Sequence, residues 1–304
     1  MSIYLDNSNT SSHTSQYGSH FVITDVHKPM KTKILNIDTR FCDSFDTTTQ
    51  NANYNVTLPE RISEIKSMRV TNIEIPISYY NISQNNGNNT FSIAVGQNPA
   101  IIYTISDGQY NASSLVNEIN SVISPTITDS SFQLITPLNK FPYIAITNND
   151  PGNNNILFTF NTTIGTNELP FTLGWILGFR NSCYNLPPNQ TLSATSPLSL
   201  DGPRYLYLAV DTFQNDNPHS FISTLKTSEL KQSILGRISM DPQHYPFGSI
   251  YPANIIHGTM LTDKRIYTSK VNIQRMNVQL VNEMGIALDM NQVDFSFSLE
   301  LEYV

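Results

Sequence analysis

Residues 294–304, DFSFSLELEYV, change side at every step: Phe295, Phe297, Leu299, Leu301 and Tyr303 fall on one face, Ser296, Ser298, Glu300 and Glu302 on the other. A two-residue period is that of a β-strand with one face in a core and the other toward solvent or a neighbour. Such a strand needs partners for its row of N–H and C=O groups and a layer to cover its apolar face. This one segment therefore demands a sheet and a second layer. A chain that stops inside so regular a strand has that end pinned in the sheet.

The same period recurs along the chain. SKVNIQRMNVQLVNE (269–283) alternates through Val271, Ile273, Met276, Val278 and Leu280, and its phase slips between Ile273 and Met276, where a bulge or bend is expected. Gly285 supplies the turn that follows. KTKILNIDTRF (31–41) reads as a strand. NANYNVTL (51–58) alternates through Tyr54, Val56 and Leu58, with Pro59 expected to end it. ISEIKSMRVTNIEIP (62–76) carries Ile65, Met68, Val70, Ile73 and Ile75, with phase breaks near Ser67 and Thr71 that predict bulges, and Pro76 as its stop. TFSIAV (90–95) and AIIYTI (100–105) form a hairpin around GQNP. SFQLIT, PYIAIT and NILFTF add three short strands between 131 and 160; RYLYLAVDTF (204–213), SILGRISM (233–240) and IIHGTM (255–260) add three more. DPQHYPFGSIYPAN (241–254) reads as a long loop, functional or packed by its own side chains.

Only ASSLVNEINSVI (112–123) breaks the alternation. Leu115, Ile119, Val122 and Ile123 recur at helical spacing, with Ser113 as the expected cap. FTLGWILGF (171–179) predicts a compact turn or short helix in which Gly174 and Gly178 allow close backbone approach and Trp175 plugs the core. Its glycine spacing fits neither phosphate-cradling motif. Many short strands with one short helix are the signature of an all-β sandwich or barrel. Residues 1–30 show little periodicity and are expected to be an extended arm that a partner orders; residues 31–304 form the domain, with strands enough for an insertion or subdomain around 85–165.

Charged residues make up 13% of the chain, against about 25% in ordinary domains. A surface of neutral amides and hydroxyls costs little to desolvate and so suits contact with neighbours, although it equally suits an Asn-rich genome. The net charge is −7 and the lysines and arginines stand singly, so the basic patch that nucleic acid requires is missing. No apolar run reaches the ~20 residues that span a bilayer. Cys42 and Cys183 are the only cysteines, as expected in a reducing compartment. The N-x-S/T triplets at Asn55, Asn88 and Asn161 are read as chance in so Asn-, Ser- and Thr-rich a chain.

Chemistry is equally sparse. His13, His20, His27, His219, His244 and His257 include no pair at metal-ligand spacing. Asp38, Asp43 and Asp46 miss the spacing of a calcium loop and read as turn-capping carboxylates. Glu300 and Glu302 share a strand face and read as solvated or facing a neighbour rather than as an acid–base pair. No nucleophile motif surrounds any serine, and neither cysteine has a histidine close in sequence. The expectation is a protein that is not an enzyme, with no catalytic residue, metal or cofactor. Tyr79, Tyr80, Tyr245, Phe247 and Tyr251 fall in loops and are the candidate interface anchors, since rigid aromatics give much contact area at little entropic cost; packing onto their own domain is the alternative.

Five blocks in order, NIDTRFCD (36–43), YNVTLPERISEIKSMRVTNIEIPISYYNIS (54–83), LGWILGFR (173–180), RYLYLAVDTF (204–213) and VNIQRMNVQLVNEMGIALDMNQVDFSFSLELEYV (271–304), resemble the penton or minor capsid jelly-roll family of nucleocytoplasmic large DNA viruses. The resemblance covers most of 31–304 and leaves out the arm and the loop 241–252. It implies a single jelly roll, two four-stranded antiparallel sheets closed as a Greek-key sandwich. It also implies a structural capsid subunit of the virion, assembled in the host cytoplasm. The implied assembly is a pentamer at the icosahedral vertices, with major capsid capsomers and minor capsid proteins as neighbours. A minor capsid protein cementing capsomers and a carbohydrate- or receptor-binding sandwich are the alternatives. Low charge and the arm lead to the same expectation of self-association.

Overall fold

A computed structural model describes residues 12–17, 20–26, 29–43, 52–160, 169–214, 221–223, 230 and 233–304; of 12–26 only the backbone is described. Asp46, His27, His219 and Asn161 lie outside the described residues, as does the stretch 1–11 of the expected arm. The chain forms two compact units, Met1–Pro76 with Tyr205–Met240 and Ile250–Val304, and Ile77–Arg204 with Asp241–Ser249. In chain order the first unit opens with β1 (Ser12–Tyr17), β2 (His20–Val26), β3 (Lys31–Asp38) and β4 (Asn53–Pro76). The second holds β5 (Thr90–Val95), β6 (Ile101–Thr104), α1 (Ala112–Ile123), β7 (Phe132–Ile135), β8 (Tyr143–Thr147), β9 (Ile156–Thr159), the single turn α2 (Leu173–Ile176), β10 (Cys183–Leu186) and β11 (Thr191–Ser193). The first resumes with β12 (Tyr205–Asp211), β13 (Ile234–Ser239), β14 (Ile250–Asn254), β15 (Met260–Thr262), β16 (Arg265–Val281) and β17 (Ser296–Tyr303). The protein is all-β, a jelly-roll-like sandwich of curled antiparallel sheets with inserted strands and one short helix.

In the first unit the strands run β15-β13-β12-β16-β4-β17-β3, with β14 on the far end of β4. The two four-stranded sheets implied by the resemblance are thus one hydrogen-bonded network, because β4 and β16 are long enough to bend from one layer into the other. The sequence marks the bends. Opposite β17, Lys66 and Thr71 of β4 have no partner, so each is a bulge beside the phase breaks at Ser67 and Thr71. The slip between Ile273 and Met276 coincides with a register jump between Ile273 and Arg275. Each bulge turns the apolar residues back inward, so that Ile62, Ile65, Met68, Val70, Ile73 and Ile75 are all buried. The layers meet closely: a Cβ on Gly236 of β13 would lie 3.0 Å from Val70 of β4.

Two expectations fail here for identifiable reasons. Pro59 does not end its strand; β4 runs through it as 24 residues. The pairing with β16 jumps from Thr57 to Ile62, so the missing N–H of Pro59 falls where the ladder is already open. The strand placed at IIHGTM lies instead at Ile250–Asn254, inside the presumed loop, and residues 255–258 are turn. Pro252 hid it, yet β14 pairs with β4 along one side only, and Tyr251 and Ala253 alternate inward as a strand requires. Within the stretch expected as an extended arm, β1 and β2 pair as an antiparallel ribbon.

The second unit packs the sheets β10-β9-β5-β6 and β11-β8-β7 with α1 around one core that includes Phe91, Ile93, Phe132, Phe158, Phe160 and Phe179. It is wider than the 85–165 insertion expected from the strand count. Helix α1 spans the expected residues and buries Leu115, Val116, Ile119 and Ile123. Its cap is Asn111 rather than Ser113: the Asn111 side chain accepts from Ser114 N, and the Ser114 hydroxyl accepts from Asn111 N in return. Asn120 fastens the helix to β7, donating to Phe132 O at 2.9 Å and accepting from Phe132 N at 2.7 Å. Trp175 is half-buried rather than a core plug. Leu173, Leu177 and Phe179 fill the interior, while the Arg180 guanidinium lies 4.1 Å from the centre of the indole. Gly178 has φ +94, and a Cβ there would lie 2.1 Å from Ser196 O. Gly178→Ala is expected to lower stability by about 2 kcal/mol or more, read from the urea midpoint.

Candidate interaction surfaces

The outward face of β3, β17 and β4 is built by the same alternation that fills the core. Between the inward residues stand Asn36, Ser296, Ser298, Glu300, Glu302, Ser67 and Arg69, aligned in cross-strand rows. Neighbours satisfy one another sideways. Arg69 donates to Glu300 at 2.9 Å, Lys264 to Glu302 at 2.6 Å and Ser67 to Glu302 at 2.7 Å; Ser298 donates to Asn36 at 2.7 Å and Ser296 to Glu74 at 3.0 Å. Glu300 and Glu302 thus each hold their own cation, so the two carboxylates of β17 are neutralised within the face.

The hydrogen bonds from Lys264 and then Ser67 hold the Glu302 carboxyl below its ordinary 4.5. A carboxyl depressed by folding adds stability that is present above the unfolded value and is lost as pH falls through the folded one. Urea midpoints are expected to fall on acidification below about pH 4.5, and to fall less in Glu302→Gln. Asp38 is depressed in the same way by Arg40. Its carboxylate also accepts from Arg40 N at 3.0 Å, capping the turn Thr39–Phe41, and Asp43 accepts from Thr57 N at 2.9 Å.

The five aromatics expected in loops divide, and one of them, Tyr251, stands in β14 instead. Tyr79 and Tyr251 are core side chains, and the Tyr251 hydroxyl donates to Ser239 O at 2.6 Å. Tyr80 and Tyr245 are half-buried. Phe247 is 44% exposed and stacks on Tyr80, ring centres 6.0 Å apart at 22°. Of the five, the structure brings together this pair, both in the second unit. Sequence reasoning missed the turn between β7 and β8, where Leu138 is 89% and Phe141 75% exposed. The signal was present in PLNKFP, whose prolines flank two apolar residues no strand can bury.

Charge is unevenly divided. Although close to half the chain, Ile77–Arg204 and Asp241–Ser249 hold three of its 17 lysines and arginines (Lys140, Arg180, Arg204) and seven of its 24 acids. The outward face of β10-β9-β5-β6 carries none: Ser92, Ala94, Ile102, Leu157, Thr159 and Cys183 lie on it, with Ile102 45% and Leu157 38% exposed. Among the described residues no group of three or more histidines, cysteines or acids is placed to hold a metal ion, and no helix is long and apolar enough to cross a membrane.

No protein-family model and no curated protein matches the chain. Among solved structures it is similar to the mavirus penton protein, crystallised with selenomethionine, at 10% identity and a TM-score of 0.45 over 91% of this chain and 100% of that one.

Proposed function

We propose that the chain is a structural, non-catalytic subunit of an icosahedral viral capsid that assembles as a pentamer at the vertices of the shell, beside major capsid capsomers and minor capsid proteins. The observation that carries this reading is where the family-like blocks go. Of the five blocks, NIDTRFCD, residues 54–76, RYLYLAVDTF and the block 271–304 supply β3, β4, β12, β16 and β17, five consecutive neighbours in one curled sheet, while LGWILGFR and residues 77–83 belong to the second unit. A resemblance scattered at random would not converge on one hydrogen-bonded object. The outer face of that sheet, with Glu300 and Glu302 neutralised within it, and the charge-poor second unit add surfaces that cost little to desolvate against other subunits. The reading places the chain in the virion, in a shell put together in the host cytoplasm. The test is localisation in intact particles with labelled antibody fragments. Label confined to the five-fold positions is expected, and label along capsomer seams instead would make the chain a cementing protein.

A further inference from the structure

We infer that copies of this chain join through the second unit, the β6 edge of one copy adding to the β10 edge of the next. The inference deepens the ring-forming reading above and rests on it.

Among the described residues no strand pairs with the outer edge of β6 or of β10, the two ends of the sheet β10-β9-β5-β6. Open edges recruit further strands, and chains usually guard them with charge. The first unit does so at one end of its sheet, where the edge strand β3 carries the exposed Lys31 and Lys33, while β15 (MLT) at the other end carries none. Strands β6 (IIYT) and β10 (CYNL) carry no charge at all. The outward face between them is charge-free as well, so an ionic partner would leave its own charges desolvated and unmatched, whereas a second copy brings a surface of the same neutral kind. Polarity agrees. Every pair in this sheet is antiparallel, so β6 and β10 run in opposite directions, and a neighbour's β6 laid beside β10 continues the ladder in the same sense. Two different edges meeting head to tail make a heterologous contact, which closes into a ring where the rotation between copies divides the circle and otherwise runs on as a filament.

The register supplies the probe. One row crosses the sheet from Cys183 through Thr159 and Ser92 to Ile102. In the head-to-tail contact the Cys183 thiol of one copy faces position 102 of the next, or position 104 if the register slips by two. Ile102→Cys and Thr104→Cys are made in a Cys42→Ser background. Each full-length protein is oxidised with diamide, and its oligomeric state is followed by sedimentation velocity.

The expected result is a reducible ladder of covalent oligomers with an inter-chain link from 183 to 102 or 104 in the mass spectrum, lost in Cys183→Ser. Ile102→Glu, exposed and so compatible with folding, is expected to melt like the parent and sediment as a monomer. Oligomers that form without that link, that link 183 to 183, or that survive Ile102→Glu overturn the inference while leaving the ring-forming reading in place. A chain that stays monomeric at every concentration overturns both.

Discussion

Deleting residues 295–304 is expected to leave the first unit unfolded. Strand β17 lies between β3 and β4, so its removal strips the ladder from both neighbours and cuts β3 off from the rest of the sheet. The same deletion takes Phe295, Phe297, Leu299 and Leu301 out of the core, each at most 2% exposed. At roughly 1.5–3 kcal/mol for each buried apolar side chain, the loss is comparable with the whole stability of a domain, about 5–15 kcal/mol. Phe295 also stacks edge-on against Tyr54, and its N–H donates to the Thr39 hydroxyl, so the damage reaches the entry to β4. Circular dichroism and thermal melting provide the check. A truncated protein that stays in solution and melts cooperatively would refute the central place given to β17.

The second large effect is expected at Arg265, which is 1% exposed at the start of β16. Its guanidinium donates to Val210 O and to Ser233 O, both at 2.8 Å, and so ties β16 to the end of β12 and the entry to β13 from inside the sandwich. Removing the side chain takes the guanidinium donor from Val210 O, leaves Ser233 O with Val210 N alone, and opens a cavity the length of an arginine. Arg265→Ala is expected to lower stability by about 3–5 kcal/mol, and Arg265→Met, which refills the space without restoring the hydrogen bonds, by less. Arg61→Ala, on the exposed surface, is expected to stay within about 0.5 kcal/mol of the parent. Urea titrations of the three variants separate the outcomes, and an Arg265→Ala midpoint equal to that of Arg61→Ala would remove the strut from the account.

Arg265 also shows where reading a sequence stops. Nothing in DKRIYTS distinguishes an interior arginine from the exposed lysines around it, because the carbonyls that hold it belong to β12 and the start of β13, far away in sequence. By contrast, β17, α1 and the bulges in β4 and β16 were legible, since each leaves its mark in the spacing of apolar residues along a single segment. Pro59 and Pro252 were misread for one reason. A proline disturbs a strand only where its N–H would have had a partner, and whether that edge is paired depends on strands elsewhere in the chain. Trp175 was misplaced because the glycine-bracketed apolar run around it suggested burial, while Arg180, five residues on, offers the indole a cationic lid. The candidate surface was partly legible: Tyr80 and Phe247 stood among the loop aromatics, but only the fold shows that Tyr79 and Tyr251 point inward.

The position of β17 sets a clock on synthesis. It is made after every strand it joins, so while the ribosome is still working, β3 and β4 have emerged without the element that belongs between them. The first unit therefore closes only after translation has reached these residues, and a nascent subunit has no finished outer face with which to engage a neighbour too early.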